Sequence, residues 1–115
     1  MDSDDEASFQ FWEYRVSHGC LLVRSPRTPS RVENIDIEFY AVEFVQLPRH
    51  LGSVRLCDPT PLELAHVQDQ LGREIRDPTK LWVLSDGTRR HLVAAAGMRT
   101  TRNSLDIFES PYDSQ

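Results

Sequence analysis

The hydrophobic pattern of the first half of the chain predicts three β-strands. Residues 9–16 and 20–25 are rich in aromatic and β-branched side chains, and the turn residues 17–19 between them predict a hairpin. The stretch NIDIEFYAVEF, residues 34–44, begins by alternating apolar and acidic positions as a half-buried strand does. Its apolar positions change phase partway, so we predict a β-bulge near residues 40–42 that keeps one face buried.

One helix is predicted by a full set of start and stop signals. Thr60 and Glu63 are spaced as a capping box, in which each side chain bonds the backbone N–H of the other residue. Apolar residues then recur at helical spacing, and Gly72 is placed to adopt the left-handed conformation that ends a helix. These signals predict a helix from Pro61 to Leu71.

Further strands are predicted on either side of that helix. Residues 54–58, 81–85 and 89–98 have strand-like composition, and Asp86-Gly87 is a preferred dipeptide for a two-residue hairpin turn. A last short strand is predicted at residues 105–110. Together these elements predict an α+β fold, in which a curved, mostly antiparallel sheet of about six or seven strands carries one helix on one face.

The length of 115 residues indicates a single domain with one core. We assign residues 9–110 to that domain, residues 1–8 to a disordered acidic tail and residues 111–115 to a frayed C-terminus. No apolar run approaches the roughly 20 residues that span a bilayer, and the N-terminal sequence MDSDDEAS is unlike a secretory signal. The sequence therefore predicts a cytoplasmic protein that does not act at a membrane.

The net charge of −5 comes mainly from the N-terminal tail. Asp2, Asp4, Asp5 and Glu6 carry four of the 18 acidic residues, which leaves 14 acids against 13 bases in the rest of the chain. A domain so close to neutral lacks the basic excess of a duplex nucleic-acid binder, so no nucleic-acid partner is predicted. All basic residues except Lys80 are arginine, a bias typical of GC-rich genomes that favours a bacterial origin.

Residue types that hold metals or act as nucleophiles are present, but no sequence motif assembles them. The chain has four histidines and two cysteines, and it lacks C-x-x-C, H-E-x-x-H and nucleophile-elbow patterns. We therefore predict no metal site, no cofactor and no catalytic residue. Cys20 and Cys57 are interpreted as reduced thiols on strands, and whether they ever pair stays open.

Asp36 and Glu38 allow two interpretations. Their side chains share one face of a strand about 7 Å apart, a separation that would suit a pair of acid and base groups. They would equally suit a solvated strand face on which they pair with arginines of neighbouring strands, for which the candidates are Arg15, Arg24, Arg55 and Arg90. We favour the solvated face with cross-strand ion pairs.

Two function classes follow from this pattern. Aromatic residues beside acids have the composition of a protein-binding surface, and the candidate contact residues are Trp12, Tyr14, Asp36, Glu38 and Tyr40. They predict a non-enzymatic interaction protein with one protein partner, in the manner of bacterial adaptors or immunity proteins. The alternative is a small ligand-binding or hydrolytic half-barrel with a pocket between helix and sheet, in which Asp36 and Glu38 are joined by Arg90 and His91.

Overall fold

The computed structural model describes residues 7–114, and these form seven β-strands, one α-helix and a short 3-10 helix. The strands are β1 Phe9–Arg15, β2 Cys20–Ser25, β3 Asn34–Gln46, β4 His50–Gly52, β5 Arg55–Cys57, β6 Lys80–Ser85 and β7 Arg90–Asn103. The helix α1 is Pro61–Leu71, and the 3-10 helix is Pro111–Ser114. Neighbouring strands pair antiparallel in the order β4-β1-β2-β3-β7-β6-β5. The predicted α+β fold with a curved sheet and one helix is confirmed.

Two long strands form the middle of the sheet, and the sheet curls around its inner face. β3 has 13 residues and β7 has 14, and they pair along most of their length. Apolar side chains from strands far apart in the sheet order meet in one core, which the curl makes possible. The residues of this inner core include Phe9, Leu21, Val23, Ile37, Phe39, Leu84 and Val93.

The change of phase in β3 is produced by two local irregularities. Ala41 has a φ of 52°, in the left-handed region, and the register with β7 shifts between Val42 and Phe44. The bulge therefore lies slightly later than the predicted residues 40–42. Gly19, in the turn before β2, packs against this kink with a φ of 59°, and a Cβ there would lie 3.3 Å from the nitrogen of Val42. Glycine suits both the backbone angle and the close approach.

The helix α1 covers one end of the outer face of the sheet. Its capping box is present as predicted, with Glu63 N donating to Thr60 Oγ1 at 3.1 Å and Thr60 N donating to Glu63 Oε1 at 2.9 Å. Gly72 follows the helix with a φ of 74°. Val67 is buried in a second core with side chains of β6 and β7, namely Leu81, Val83, Leu92 and Ala94. Among residues 7–114, no helix is long and apolar enough to cross a membrane.

The other end of the outer face is covered by the last residues of the chain, which corrects two predictions. β7 continues to Asn103, and residues 105–110 contain a turn instead of a strand. The predicted frayed end is also wrong for its described part, because Pro111–Ser114 form a 3-10 helix in which Tyr112 is 2% exposed. We call residues 104–114 the C-terminal strap.

The predicted disordered tail, residues 1–8, lies mostly outside the described residues. Its last two residues pack with the domain. Ala7 is buried in the inner core, and Ser8 N donates to Ser25 Oγ at 3.0 Å. The packed part of the chain therefore begins before the predicted boundary at residue 9.

Candidate functional site

The structure brings four of the five predicted contact residues onto one face of the sheet. Trp12, Asp36, Glu38 and Tyr40 lie on the outer face, around β2 and β3. Tyr14 lies directly opposite Leu21 of β2, whose side chain is in the inner core. Because opposite residues of an antiparallel pair share a face, the Tyr14 side chain lies on the inner face of β1. Trp12, Asp36, Glu38 and Tyr40 therefore share one face of the sheet, and Tyr14 lies on the other.

The outer face is not solvated at this point, which corrects the interpretation of Asp36 and Glu38. Both residues are 0% exposed. Strand alternation places them on one face, as predicted, but the C-terminal strap lies over that face. Asp36 pairs with Arg24, one of the four arginines proposed from the sequence, whereas Glu38 pairs with Arg99, which was not among them. The predicted solvation is wrong.

Asp36 forms a buried ion pair with Arg24 of β2. Arg24 Nε and Nη2 donate to the two carboxylate oxygens at 2.7 and 3.0 Å, and Asn103 Nδ2 donates to Oδ2 at 2.7 Å. The guanidinium carbon lies 5.4 Å from the centre of the Trp12 ring, close enough for a cation–π contact. Both carboxylate oxygens are thus hydrogen-bonded, as a buried charge requires.

Glu38 is held in its ionised form by three donors. Tyr40 Oη and Arg99 Nη2 donate to Oε1, the second at 2.8 Å, and Thr101 Oγ1 donates to Oε2 at 2.7 Å. Burial acts to raise the pKa of Glu38, but these hydrogen bonds outweigh burial and hold the pKa below its usual range. The catalytic alternative called for a raised carboxylate pKa, and Glu38 has the opposite shift.

Three arginines and an asparagine fasten the C-terminal strap through its backbone carbonyls. Arg24 Nη1 donates to Glu109 O at 3.0 Å and to Asp106 O at 3.4 Å. The remaining bonds run from Arg27 Nη1 to Ser104 O at 3.2 Å, from Asn34 Nδ2 to Leu105 O at 2.8 Å and from Arg15 Nη1 to Tyr112 O at 3.1 Å. The strap is therefore bound at several points by side chains from the first third of the chain.

Tyr112 fixes the end of the strap. Its ring meets the Tyr40 ring edge-on, with centroids 5.6 Å apart, and its hydroxyl donates to Leu21 O at 2.6 Å. Burial raises the pKa of Tyr112 well above its usual range, so the hydroxyl keeps its proton. The neighbouring Asp113 forms an ion pair with Arg15. A buried aromatic ring and an ion pair thus secure the strap beyond its carbonyl contacts.

The strap carries a tight turn, Asp106–Glu109, which we call the DIFE turn. Glu109 N donates to Asp106 O at 2.9 Å, and Asp106 N donates to the side-chain Oε1 of Glu109 at 2.9 Å. Asp106 Oδ1 accepts the backbone N–H of Ile107 at 2.6 Å. Ile107 is 54% exposed, and Phe108 is 90% exposed, the highest value for a large apolar side chain among the described residues. The turn is closed at its base and presents two apolar side chains to solvent.

Arg90 and His91 do not join Asp36 and Glu38 in one pocket. In the pairing of β3 with β7, Glu38 lies opposite Arg99. The segment of β7 from His91 to Arg99 spans roughly 26 Å at the usual strand rise, so His91 lies far from Glu38. Arg90 instead forms an ion pair with the carboxylate of Glu63 in α1, in which Arg90 Nε lies 2.8 Å from Glu63 Oε2. The predicted grouping of these side chains in a pocket between helix and sheet is wrong.

Arg90 and His91 border two separate clefts. Arg90 lines a cleft of about 380 Å³ together with Cys57, and His91 lines a shallow cleft of about 480 Å³ together with Leu47 and Pro48. His91 is 8% exposed, and its Nε2 has no hydrogen-bond partner among the described residues. Because Nε2 is itself buried, a molecule in the cleft would not reach it directly.

Metal-ligating and thiol groups are dispersed in the described part of the chain. Within residues 7–114, no group of three or more His, Cys, Asp and Glu side chains is placed to hold a metal ion. Both cysteines lie on strands, as predicted, and both are free thiols. Cys20 is buried beside Tyr112, and Cys57 is exposed at the end of β5.

Comparison with known proteins adds no assignment. No family model matches the chain, and no curated protein or solved structure gives a significant match.

Sequence reasoning did not identify the DIFE turn, because residues 105–110 contain enough apolar residues to resemble a short strand. A local signal was nevertheless present. Asp106 and Glu109 stand three residues apart around two apolar residues, and an aspartate at the first position of a turn bonds the backbone that follows it. That spacing is the feature that would have predicted a turn.

Proposed function

We propose that the protein is a non-enzymatic protein-binding module of the bacterial cytoplasm, and that it docks on another protein through the DIFE turn. In this proposal Ile107 and Phe108 make the contact. The residues singled out by the sequence, Trp12, Asp36, Glu38 and Tyr40, support the strap from below, and Tyr14 has no role. The near-neutral charge of the domain favours a protein partner over a nucleic acid.

The observation that carries the proposal is the contrast between Phe108 and the layer beneath it. Phe108 is 90% exposed, yet the carbonyls of Asp106 and Glu109 on either side of it are held by the fully buried Arg24. An apolar side chain on an already fixed backbone loses less conformational entropy when it binds. Aromatic side chains at the centre of an interface commonly provide a large share of the binding energy.

Other large apolar side chains are also exposed. Leu62 is 84% exposed in the first turn of α1, and Val16 and Val32 are exposed in loops. Single exposed apolar residues are common on protein surfaces and need no functional explanation. Leu62 therefore provides a control residue of similar exposure for tests of Phe108.

The test is affinity capture from a lysate of the organism that encodes the chain, with the wild-type protein, Phe108→Ala and Leu62→Ala as parallel baits. We expect one stoichiometric protein on the wild-type and Leu62→Ala baits. Phe108→Ala should bind it about thirtyfold more weakly, which corresponds to a contact residue worth about 2 kcal/mol. All baits must have the same circular dichroism spectrum and unfolding midpoint. A partner that binds all three equally would contradict the proposal.

A further inference from the structure

We infer that the partner surface which receives the DIFE turn is an apolar pocket bordered by basic side chains. This inference rests on the proposed docking function and adds the chemistry of the partner. It follows from the two carboxylates at the base of the turn, Asp106 and Glu109, which flank the apolar tip.

Both carboxylates are exposed and retain bonding capacity. Asp106 uses Oδ1 to accept a backbone N–H, and Glu109 uses Oε1 in the same way. In the described part of the chain, the second oxygen of each carboxylate makes no hydrogen bond or ion pair. These two oxygens can accept from a partner while the first pair keeps the turn closed.

The nearby arginines of the chain leave the negative charge of the turn in place. Arg24, directly below, is 0% exposed and is neutralised by Asp36. Arg15 is engaged by Asp113 farther along the strap, and Arg27 bonds the carbonyl of Ser104. The tip thus carries two apolar side chains between two negative charges.

This arrangement matches the usual anatomy of an interface, with an apolar centre and a polar rim. The first and last residues of a tight turn lie within about 7 Å of each other, so both carboxylates face the same rim of a pocket that receives Phe108. Arginine or lysine on that rim would accelerate association through charge attraction, while burial of the phenyl ring would set the lifetime of the complex.

The test uses the double variant Asp106→Asn/Glu109→Gln and the partner whose capture depends on Phe108. Each amide keeps an oxygen in the place of Oδ1 or Oε1, so the turn can stay closed while both charges are lost. The control is Asp69→Asn/Glu74→Gln, which removes two exposed charges near the end of α1. Association rate constants are measured by surface plasmon resonance from low to high salt.

We expect the turn variant to associate about five- to tenfold more slowly at low salt, with a weaker salt dependence, and the control to change less than twofold. Equal rates for the turn variant and the control would overturn the basic pocket and leave docking through Phe108 standing. Failure of the docking proposal itself has a different signature, since Phe108→Ala would then bind like the wild-type protein. A turn variant with a lowered unfolding midpoint is replaced by the two single variants.

Discussion

Arg24 and Asp36 face each other across β2 and β3, joined by two hydrogen bonds of 2.7 and 3.0 Å at a site where both residues are 0% exposed. Burial of two charges costs about as much free energy as their attraction returns, so stability alone does not explain the pair. The pair also leaves Arg24 Nη1 directed at the carbonyls of Asp106 and Glu109. We interpret the Arg24–Asp36 pair as the contact that holds the DIFE turn on the sheet.

The buried pair makes a prediction for stability. Arg24→Met should lower the free energy of unfolding by about 3–5 kcal/mol, because it leaves the Asp36 carboxylate buried without its counter-charge. The double variant Arg24→Met/Asp36→Leu should recover a large part of that loss, since no charge is then buried at the site. Urea denaturation of both variants measures the difference. A double variant less stable than the single one would contradict this account of the pair.

A second prediction concerns acid stability through Glu63 and Arg90. The hydrogen bond from Arg90 is the main cause that lowers the pKa of Glu63 from 4.5 to about 2. Because the folded pKa is depressed, the stabilisation is complete above pH 4.5 and is lost as the pH falls toward 2. The free energy of unfolding of Arg90→Met should therefore fall less than that of the wild-type protein between pH 4.5 and pH 2.

The control for this titration is Arg76→Met. Arg76 pairs with Glu74, and both side chains are largely exposed, so solvent screens their attraction. Unfolding midpoints between pH 2 and pH 6 should follow the wild-type curve for this variant. If Arg90→Met also followed the wild-type curve, the ion pair between Arg90 and Glu63 would make no contribution to stability at acid pH.

A third prediction concerns His91, whose buried Nε2 has no hydrogen-bond partner among the described residues. A buried polar atom without a partner costs about 1–3 kcal/mol. His91→Leu, which is similar in volume, should leave the unfolding free energy unchanged or raise it by about 1 kcal/mol. Chemical denaturation measures the change, with the exposed His50→Leu as a control. A loss above about 1 kcal/mol would mean that the imidazole is hydrogen-bonded in solution.

A fourth prediction separates the ring of Tyr112 from its hydroxyl. Tyr112→Phe removes only the hydroxyl, which contacts Leu21 O at 2.6 Å and Phe39 O at 3.4 Å, and should cost about 1 kcal/mol. Tyr112→Ala also removes the buried ring and should cost about 3–5 kcal/mol. Limited proteolysis should then cut Tyr112→Ala within the strap much faster than it cuts the wild-type protein or Tyr112→Phe. Equal cleavage of all three would argue that Tyr112 does not hold the strap.

Features that depend on local sequence were predictable. Thr60, Glu63 and Gly72 act within a few residues of one another, and the helix begins and ends where they predict. The hairpin at Asp86-Gly87 is also confirmed in place, although its loop is longer than two residues because Ser85 pairs with Arg90. Local hydrogen bonds determine these features, and they can be read from spacing alone.

The candidate site was harder to predict because its layers come from distant parts of the chain. Alternation showed that Asp36 and Glu38 share a face, but it carries no information about what covers that face. The cover is the strap, whose Tyr112 packs against the carbonyls of Phe39 and Leu21, which lie 73 and 91 residues earlier in the sequence. The acids therefore resembled a solvated strand until the tertiary contacts were known.

The central claim is that the buried layer holds the DIFE turn rigid for a partner, and backbone ¹⁵N relaxation of the free protein tests it most directly. The order parameters of the Ile107 and Phe108 amides should be about 0.85, equal to those of β3, although both side chains are exposed. Values below about 0.6 would show a flexible turn and contradict the claim.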